Sequence, residues 1–231
     1  MSGRFQTILD FRLGQRVANR WMAARGPDGP DGIARLGPRE YVGGMWDEVG
    51  QLQFDFLVGQ GLQPTDVLVD IACGSLRAGV RLIPYLGEGN YLGIEKEALL
   101  IDHGRREELP CEVEKAKRPE FVVSDSFEFA KFSRPAGWAV AQSLFSHLAP
   151  EPIRLCFTNL HAWATPGTRF FATFLECDRD HPNPNRSHAQ LGFRYTKTAM
   201  EAFGAGSGWS FRYIGDWGHP RGQVMAEYRK S

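Results

Sequence analysis

From Asp66 onward, short apolar runs alternate with segments of helical pattern, and this alternation constrains the fold of the chain more than any other feature. Five of the runs have the length of buried strands, at 67–70, 91–94, 121–123, 138–141 and 169–174. Strands that alternate with helices predict a mostly parallel sheet covered by helices on both faces. Two more strand candidates near the C-terminus, 209–214 and 223–228, are joined by a short loop and predict an antiparallel hairpin. We therefore predict an α/β fold with a doubly wound, seven-stranded sheet.

The chain before this alternation is predicted to be helical. Residues 5–24 predict one helix, and residues 25–32, which are dense in glycine and proline, predict a loop. Apolar residues at helical spacing over 41–61 predict an amphipathic helix. We divide the chain into an N-terminal helical cap or arm, residues 1–40, and a main domain, residues 41–231. For the arm we consider two roles, covering a ligand site and forming a homodimer contact.

Composition and charge argue against several classes of function. Lys+Arg and Asp+Glu both number 27 and the pI is about 7.0, so no net positive field would attract nucleic acid or an anionic membrane. The apolar runs are shorter than the roughly 20 residues of a membrane span, and the N-terminus does not have the pattern of a signal peptide. Four widely spaced cysteines favour reduced thiols. We expect a cytoplasmic protein without nucleic-acid or membrane partners.

The turn after the first strand is the first candidate binding site. Residues 70–79 (DIACGSLRAG) lie between that strand and a helical segment at 81–86. Small residues there let backbone amides approach a ligand at the carboxyl edge of the sheet, where open α/β folds bind ligands. Tight packing of the strand against the helix is the alternative. Glu95 ends the second strand, 25 residues after Asp70, where its carboxylate can accept hydrogen bonds from both hydroxyls of a ribose.

Polar residues also follow the third strand, at 124–127. Asp125 could accept a hydrogen bond from an adenine amino group, and Phe127 could stack on the base. The alternative for Asp125 is a helix N-cap. Carboxylates at neighbouring strand ends predict a ligand that contains a nucleoside.

These residues resemble the class I methyltransferases that use S-adenosylmethionine (SAM), whose first motif is an acidic strand end followed by a glycine-rich turn. The resemblance covers about residues 41–231, implies a Rossmann-like methyltransferase fold, and is closest to a bacterial subgroup. Its strings occur here in order: YVGGMW at 41–46, CGSLR at 73–77, QSLFSHL at 142–148 and GDWGHPRGQ at 215–223. The chain departs from the family pattern at Ala72 and Leu76, where many members have glycine.

The resemblance implies SAM as the cofactor and S-adenosylhomocysteine (SAH) as its product. It assigns Asp70 and Gly74 to the methionine moiety and Glu95 to the ribose. The adenine would contact Asp125 and Ser126. The candidate cofactor-binding residues are Tyr41, Trp46, Asp70, Ala72, Gly74, Ser75, Arg77, Glu95, Lys96, Asp125, Ser126, Phe127, Gln142 and Ser143. For Trp46, a place in the core is the alternative.

Dehydrogenases share the strand, turn and ribose acid, and they are the rival class of enzyme. The chain has no GxGxxG fingerprint. The antiparallel end of the predicted sheet and the absence of a second βαβαβ half also favour methyl transfer.

Three residues are candidates for catalysis. A hydroxyl acceptor is a poor nucleophile until a general base removes its proton. His147, after the fourth strand, is the first candidate base, with bracing of the next helix as the alternative. Glu176 and His219 could converge on the same cleft from two other strand ends, or could be loop residues in solvent.

A divalent cation is a further option, because some O-methyltransferases use one to position a diol. Its ligands would come from acidic and histidine side chains near the cleft, namely His147, Glu176, Asp178, Asp180, His181 and His219. Their spacing does not support such a site, and we assign no metal.

Residues 177–192 form a long, polar, proline-containing segment that we interpret as a lid loop on the acceptor side. Aromatic and polar residues near the cleft suit a sugar acceptor, namely Trp163, Asn183, Trp217 and Arg221. A small phenol or an amine would need similar surroundings.

The sequence thus predicts a SAM-dependent methyltransferase, most simply an O-methyltransferase of a small or carbohydrate-like molecule. Two alternatives stay open. The first is N-methylation of a small amine or a protein side chain. The second is a non-catalytic SAM-binding protein, which the departures at Ala72 and Leu76 would allow.

Overall fold

The computed structural model of the chain describes residues 28–231 and Val17. Apart from Val17, the predicted helix at 5–24 lies outside the described residues, as do 25–27 of the predicted loop. The described α-helices are α1 Gly29–Leu36, α2 Pro38–Tyr41, α3 Trp46–Gly59, α4 Gly79–Tyr85, α5 Ala98–His103, α6 Cys111–Lys117, α7 Pro150–Trp163 and α8 Lys197–Ala205. A π-helix, Gly104–Glu108, and a 3-10 helix, Phe129–Lys131, are also present. The strands are β1 Leu68–Ile71, β2 Tyr91–Glu95, β3 Glu120–Val123, β4 Trp138–Ala141, β5 Arg169–Glu176, β6 Arg194–Tyr195, β7 Trp209–Asp216 and β8 Val224–Lys230.

Seven strands form the predicted sheet, in the order β3-β2-β1-β4-β5-β8-β7. Strands β1 to β5 run parallel, whereas β8 is antiparallel to both β5 and β7. The parallel sheet and the antiparallel C-terminal hairpin are therefore confirmed. An eighth strand, β6, was not predicted because it has only two residues, and it pairs parallel with the end of β5.

The predicted loop at 25–32 is wrong for residues 29–32, which begin helix α1. A carboxylate oxygen of Asp28 accepts a hydrogen bond from the backbone N–H of Gly29 at 2.9 Å, and Pro30 occupies the first turn. An acidic cap followed by proline is a helix start, since proline fits where no N–H is needed. Because the same stretch contains several glycines, which favour loops, the sequence predicts a loop there and not the start of a helix.

Helix α3 begins at Trp46, five residues later than predicted. Three successive residues before it have positive φ angles, with 99° at Gly43, 57° at Gly44 and 48° at Met45. Backbone in this left-handed region cannot continue a right-handed helix. The interruption leaves Tyr41 at the end of α2 and creates a short loop over the carboxyl edge of the sheet.

The core has two layers, one on each face of the sheet. Phe170 and Phe171 are adjacent on β5, and both are fully buried. Because alternate residues of a strand point to opposite faces, Phe170 packs with Phe157 of α7, whereas Phe171 packs in the layer that includes Leu57 of α3 and Leu82 of α4. This is the doubly wound arrangement that the sequence predicts. None of the helices in the described part of the chain is long and apolar enough to cross a membrane.

A buried carboxylate ties the hairpin to the parallel strands. Glu227 of β8 is fully buried. It accepts hydrogen bonds from Nε of Arg169 at 2.6 Å, Nε of Arg212 at 2.6 Å and Nε of Arg229 at 3.0 Å. Burial alone would raise the pKa of Glu227, but the three guanidinium groups hold it below its ordinary value.

We expect Glu227→Gln to lower the free energy of unfolding at pH 7 by about 1–3 kcal/mol, because charge-assisted hydrogen bonds are lost from a buried site. The lowered pKa means that this contribution is present above the ordinary glutamate pKa and is lost as the pH falls through the lower native value. The difference from wild type should therefore shrink as the pH falls from about 6 to about 3. Urea unfolding followed by tryptophan fluorescence measures the free energy of unfolding of wild type and Glu227→Gln at each pH.

The matched control is Glu201→Gln, since Glu201 is an exposed residue of α8. We expect that change to alter the free energy of unfolding by less than about 0.5 kcal/mol. Equal effects of the two substitutions would contradict a stabilising role for Glu227.

Candidate functional site

A cavity of about 480 Å³ lies at the carboxyl ends of β1, β2, β3 and β4. This is the edge at which open α/β sheets bind ligands, and the volume is in the range of small-molecule sites. Its walls come from the loops after these strands, the segment 40–43, and the part of the lid loop from Ser187 to Gly192. Twelve predicted site residues line it: Tyr41, Asp70, Ala72, Gly74, Arg77, Glu95, Lys96, Asp125, Phe127, Gln142, Ser143 and His147.

The turn after β1 has a left-handed conformation at three positions. Its φ angles are 61° at Ala72, 56° at Gly74 and 69° at Leu76. A side chain in this region costs about 1–3 kcal/mol. Leu76 is fully buried, so packing of its side chain offsets that cost. At Gly74 a Cβ would lie 2.9 Å from Cγ1 of Val42, so only glycine lets the loop before α3 approach this closely.

Asp70 lies at the end of β1 and is almost completely buried. It accepts a hydrogen bond from Oη of Tyr91 at 2.7 Å. Burial raises the pKa of Asp70 to about 6, although the Tyr91 hydrogen bond and the charge of Arg77 act in the opposite direction. Its carboxylate lines the cavity where the glycine-rich turn begins.

Glu95 at the end of β2 connects its own strand to the turn after β1. One carboxylate oxygen accepts hydrogen bonds from the backbone N–H groups of Lys96 at 2.9 Å and Glu97 at 3.1 Å. The other accepts from the N–H of Gly74 at 3.2 Å. Burial raises the pKa of Glu95, and these hydrogen bonds partly offset the effect. The carboxylate therefore lies at the junction of the two loops, on the wall of the cavity.

The loop after β3 places Asp125 and Phe127 on the cavity, but Ser126 does not line it. The backbone carbonyl of Ser126 instead accepts a hydrogen bond from Asn159 at 3.0 Å. The turn is held by Ser124, whose Oγ accepts hydrogen bonds from the N–H groups of Ser126 and Glu128, both at 3.2 Å. The helix N-cap that was the alternative for Asp125 is wrong, because the short 3-10 helix that follows begins at Phe129.

Arg77 makes three hydrogen bonds to uncharged oxygens. Its Nη1 donates to the carbonyls of Val42 at 3.2 Å and Gly44 at 2.8 Å, and its Nη2 donates to Oε1 of Gln142 at 2.7 Å. Because this fixes the Gln142 amide, the Gln142 nitrogen faces Nε2 of His219, 3.1 Å away. Arg77 thus joins the loop before α3, the end of β4 and the hairpin loop between β7 and β8.

His219 does not line the cavity but lies behind Gln142. Burial, with Arg77 and Arg221 nearby, lowers the pKa of His219 to about 4, so the ring is neutral at pH 7. Its Nε2 lies 3.1 Å from the amide nitrogen of Gln142, its Nδ1 accepts from the N–H of Arg221 at 3.2 Å, and Trp217 stacks on the ring. The structure therefore gives His219 a positioning contact to Gln142 and no contact with the cavity.

Hydrogen bonds from the hairpin of β7 and β8 also hold the end of β4 in place. Ser143 has a φ of 61°, and its N–H donates to Oγ1 of Thr173 at 2.7 Å. Gln223 donates from Nε2 to Oγ of Ser143 at 2.6 Å and accepts from Thr173 at 2.7 Å. The string GDWGHPRGQ therefore supports the strand end next to the cavity.

His147 lines the cavity with its ring held in one orientation. Its Nδ1 lies 2.7 Å from the backbone carbonyl oxygen of Leu191 in the lid loop. A carbonyl can only accept, so Nδ1 carries the proton and Nε2 has the lone pair in the neutral ring. Burial lowers the pKa of His147, and the charges of His188 and Arg221 act in the same direction, whereas Asp28 opposes them. The ring is therefore a neutral acceptor at pH 7.

The lid loop is hydrogen-bonded to the segment that carries His147. The N–H of His188 donates to the carbonyl of His147 at 3.0 Å, and directly after the loop the N–H of Phe193 donates to the carbonyl of Ser146 at 2.7 Å. Ser187 accepts from the N–H of Ala149 at 3.0 Å. These contacts close one side of the cavity.

Asp28, which the sequence did not indicate, joins the lid loop to the start of α1. It accepts hydrogen bonds from Oη of Tyr41 at 2.6 Å and from the N–H of Ala189 at 3.4 Å. Burial would raise the pKa of Asp28, but the hydrogen bonds from Tyr41 and Gly29 lower it. Tyr41 and Asp28 both line the cavity. No sequence pattern could have paired a residue before α1 with a loop about 160 positions later.

Several predicted residues lie elsewhere. Trp46 is half-buried on α3 under the guanidinium of Arg39, 4.7 Å from the ring centre. Ser75 lies within the turn after β1 and is fully buried. Glu176 accepts a hydrogen bond from Oη of Tyr213 at 2.5 Å, away from the cavity.

The side chains proposed for a divalent cation do not come together. Within the described part of the chain, there is no group of three or more His, Cys, Asp or Glu side chains that could hold a metal ion.

The residues proposed for sugar binding are mostly not at the cavity. Trp163 stacks on Phe129, and Trp217 packs against Phe56. Asn183 donates to the carbonyl of Arg194 at 2.7 Å. Of these candidates Arg221 alone lines the cavity, together with Gln53 and His188, which the sequence analysis did not select.

Comparison with known proteins shows the fold. No family model matches the chain. The magnesium protoporphyrin IX methyltransferase from Synechocystis, solved with bound SAM, is similar over 96% of this chain and 97% of that chain, with a TM-score of 0.58 and 15% identity.

Two further solved structures, both with SAM bound, are similar at 13–15% identity. An amino pentose methyltransferase from Micromonospora echinaspora matches over 86% of this chain and 97% of that chain, with a TM-score of 0.61. A glycopeptide N-methyltransferase matches over 79% and 94%, with a TM-score of 0.59. The chain therefore has the fold of the SAM-dependent methyltransferases.

Proposed function

We propose that the chain is a SAM-dependent methyltransferase that transfers a methyl group to a hydroxyl of a small acceptor, with His147 as the general base. The observation that carries this proposal is one cavity that Asp70, Glu95 and His147 all line, with the His147 ring neutral and its proton on Nδ1. Residues 41–231 would be the SAM-binding domain and residues 1–40 the arm.

The donor set of the cavity fits SAM. Glu95 and Asp125 would bind the nucleoside at the ends of β2 and β3, and the turn at 70–79 would bind the methionine moiety. Three buried atoms of residues on the wall have no hydrogen-bond partner among the described residues: Oε1 of Gln53, Nε of Arg77 and Nε2 of Gln190. A buried polar atom costs free energy unless it is paired, so a polar ligand that reaches them would stabilise all three. When bound, SAM supplies a methyl group activated by its sulfonium.

The chain itself would orient the acceptor and remove its proton. His147 is neutral at pH 7, and the proton on Nδ1 is held by the Leu191 carbonyl, so Nε2 would take the proton of the hydroxyl. The lid loop would exclude water from the cavity, which strengthens the electrostatic interactions inside it.

Two alternatives remain distinct from this proposal. The glycopeptide N-methyltransferase among the structural neighbours shows that the same fold serves nitrogen acceptors, for which a general base matters less. A product whose methyl group is bound to nitrogen, seen by mass spectrometry, would favour N-methylation. Tight SAM binding without turnover on a broad panel of acceptors would favour a non-catalytic protein. Trp163 and Trp217 pack against phenylalanine side chains and do not line the cavity, which argues against a sugar acceptor.

We expect His147→Asn to lower kcat by about 10²–10⁴-fold, the usual contribution of a general base. The asparagine amide can still donate to the Leu191 carbonyl but offers no basic nitrogen. The Kd for SAH should change by less than about twofold, because only the base is removed. Radiolabel transfer from SAM to an accepted hydroxyl compound measures kcat, and calorimetry measures Kd.

The pH profile and a control support the assignment. Since burial lowers the pKa of His147, wild-type kcat should stay high at pH 7 and decline only below the ordinary histidine range. His181→Asn is the control, because His181 is exposed and does not line the cavity. Unchanged turnover in His147→Asn would remove this residue from the mechanism.

We expect Glu95→Gln to weaken SAH binding by about tenfold or more, since an amide cannot accept from both ribose hydroxyls as a carboxylate does. Isothermal calorimetry would measure the wild-type Kd, expected on the order of micromolar, beside Glu112→Gln, a change at an exposed residue of α6. No SAH binding by the folded wild-type chain would refute the methyltransferase proposal.

A further inference from the structure

We propose that the acceptor is a phenol that carries a second oxygen next to the reacting hydroxyl, and that His188 binds this second oxygen through its Nε2–H. This inference rests on the proposed function and deepens it, because it names the class of acceptor and gives a residue of the lid loop a part in selecting it.

The ring of His188 has a defined tautomer. His188 lines the cavity, and only 9% of its surface is exposed. Its Nδ1 accepts a hydrogen bond from the backbone N–H of Gln190 at 3.1 Å. A nitrogen that accepts carries no proton, so the proton of the ring is on Nε2. Nε2 makes no hydrogen bond with any residue in the described part of the chain, and it is therefore a donor left for a ligand.

His147 has the opposite arrangement of proton and lone pair. Its Nδ1–H donates to the Leu191 carbonyl, so Nε2 is an acceptor in the neutral ring. The N–H of His188 donates to the carbonyl of His147 at 3.0 Å, which places the two residues on neighbouring parts of the wall. An acceptor beside a donor matches a ligand in which a hydroxyl has a hydrogen-bond acceptor next to it.

A second unpaired donor lies close to His188. Gln190 lines the cavity, and its Nε2 is buried without a hydrogen-bond partner within residues 28–231. A buried donor costs free energy until it is paired. Two donors without protein partners on this part of the lid loop favour an oxygen, rather than an ammonium, as the neighbouring group of the ligand.

The wall around these polar atoms is apolar. Leu144, Leu148 and Pro152 line the cavity where the chain passes from β4 into α7, and Leu191 lines it from the lid loop. All four are only partly buried, so part of each side chain is available to a ligand. Such a surface binds the faces of a flat ring, whereas a sugar would leave several hydroxyls unpaired against it. The combination favours a phenol.

The two histidines would have separate parts in the transfer. The Nε2–H of His188 would hold the second oxygen, which orients the reacting hydroxyl toward Nε2 of His147. The hydroxyl oxygen would form a bond to the methyl carbon while the carbon–sulfur bond of SAM breaks, and the hydroxyl proton would go to Nε2 of His147. The products are the methyl ether, SAH and a proton that His147 later releases.

The test compares two isomers, 2-methoxyphenol and 4-methoxyphenol, which differ in the distance between the second oxygen and the hydroxyl. NMR titration of the SAH complex would give both Kd values. We expect the wild-type chain to bind 2-methoxyphenol about 3- to 10-fold more tightly, the contribution of one hydrogen bond. His188→Phe, which has no donor, should abolish this preference. His188→Gln, which keeps an N–H donor near the position of Nε2, should retain it. Neither substitution should change the Kd for SAH.

His181→Phe is the matched control, because His181 is an exposed residue of the same loop and does not line the cavity. It should leave the Kd values of both isomers and of SAH unchanged.

Other outcomes would overturn the assignment. Equal affinity of the wild-type chain for the two isomers, or a preference that survives in His188→Phe, would remove His188 from acceptor binding. Binding of neither isomer by the SAH complex would overturn the phenol as the class of acceptor, and so would tighter binding of cis-1,2-cyclohexanediol, whose ring is not flat. In these cases SAH still binds, so only this inference fails. If the folded wild-type chain does not bind SAH, the proposed function fails as well.

Discussion

The guanidinium of Arg77 connects three parts of the chain that are far apart in sequence. Its hydrogen bonds hold the carbonyls of Val42 and Gly44 and the amide of Gln142, and through Gln142 they fix His219 in the hairpin loop. The segment before α3, the end of β4 and the C-terminal hairpin therefore keep their positions around one buried cation. Most of the cavity wall on the β1 and β4 side depends on this arrangement.

The turn after β1 makes that arrangement accessible to a ligand. Its left-handed residues bring Gly74 against Val42, and the N–H of Gly74 donates to the Glu95 carboxylate at 3.2 Å. Ala72 and Leu76 occupy conformations that glycine adopts more easily, and the structure compensates at Leu76 with a fully buried side chain. Ala72 and Gly74 both line the cavity, so the alanine and leucine at 72 and 76 do not remove this turn from the cavity wall.

The sequence predicted the central sheet well, because its strands are short apolar runs separated by turn residues and their periodicity is local information. The residues at the ends of β1, β2 and β4 could be assigned to the candidate site for the same reason. The start of α3 could not, since three left-handed residues interrupt an otherwise helical pattern. Contacts between distant segments bring three further residues to the cavity, Asp28, Gln53 and His188. No spacing pattern in the sequence predicts such contacts. Trp163 and Trp217 illustrate the converse, because an aromatic residue near a motif is as well suited to packing as to binding.

The hydrogen bond between His147 and the Leu191 carbonyl has a consequence for the timing of any reaction in the cavity. An imidazole in water exchanges its proton between two nitrogens, and its ring rotates. Here the Leu191 carbonyl fixes the proton on Nδ1, and this contact depends on the lid loop lying on residues 146–149. If His147 is the general base, as proposed, covering the cleft and orienting the base would be a single structural event, and a protein with the loop displaced would bind its ligands without an oriented proton acceptor.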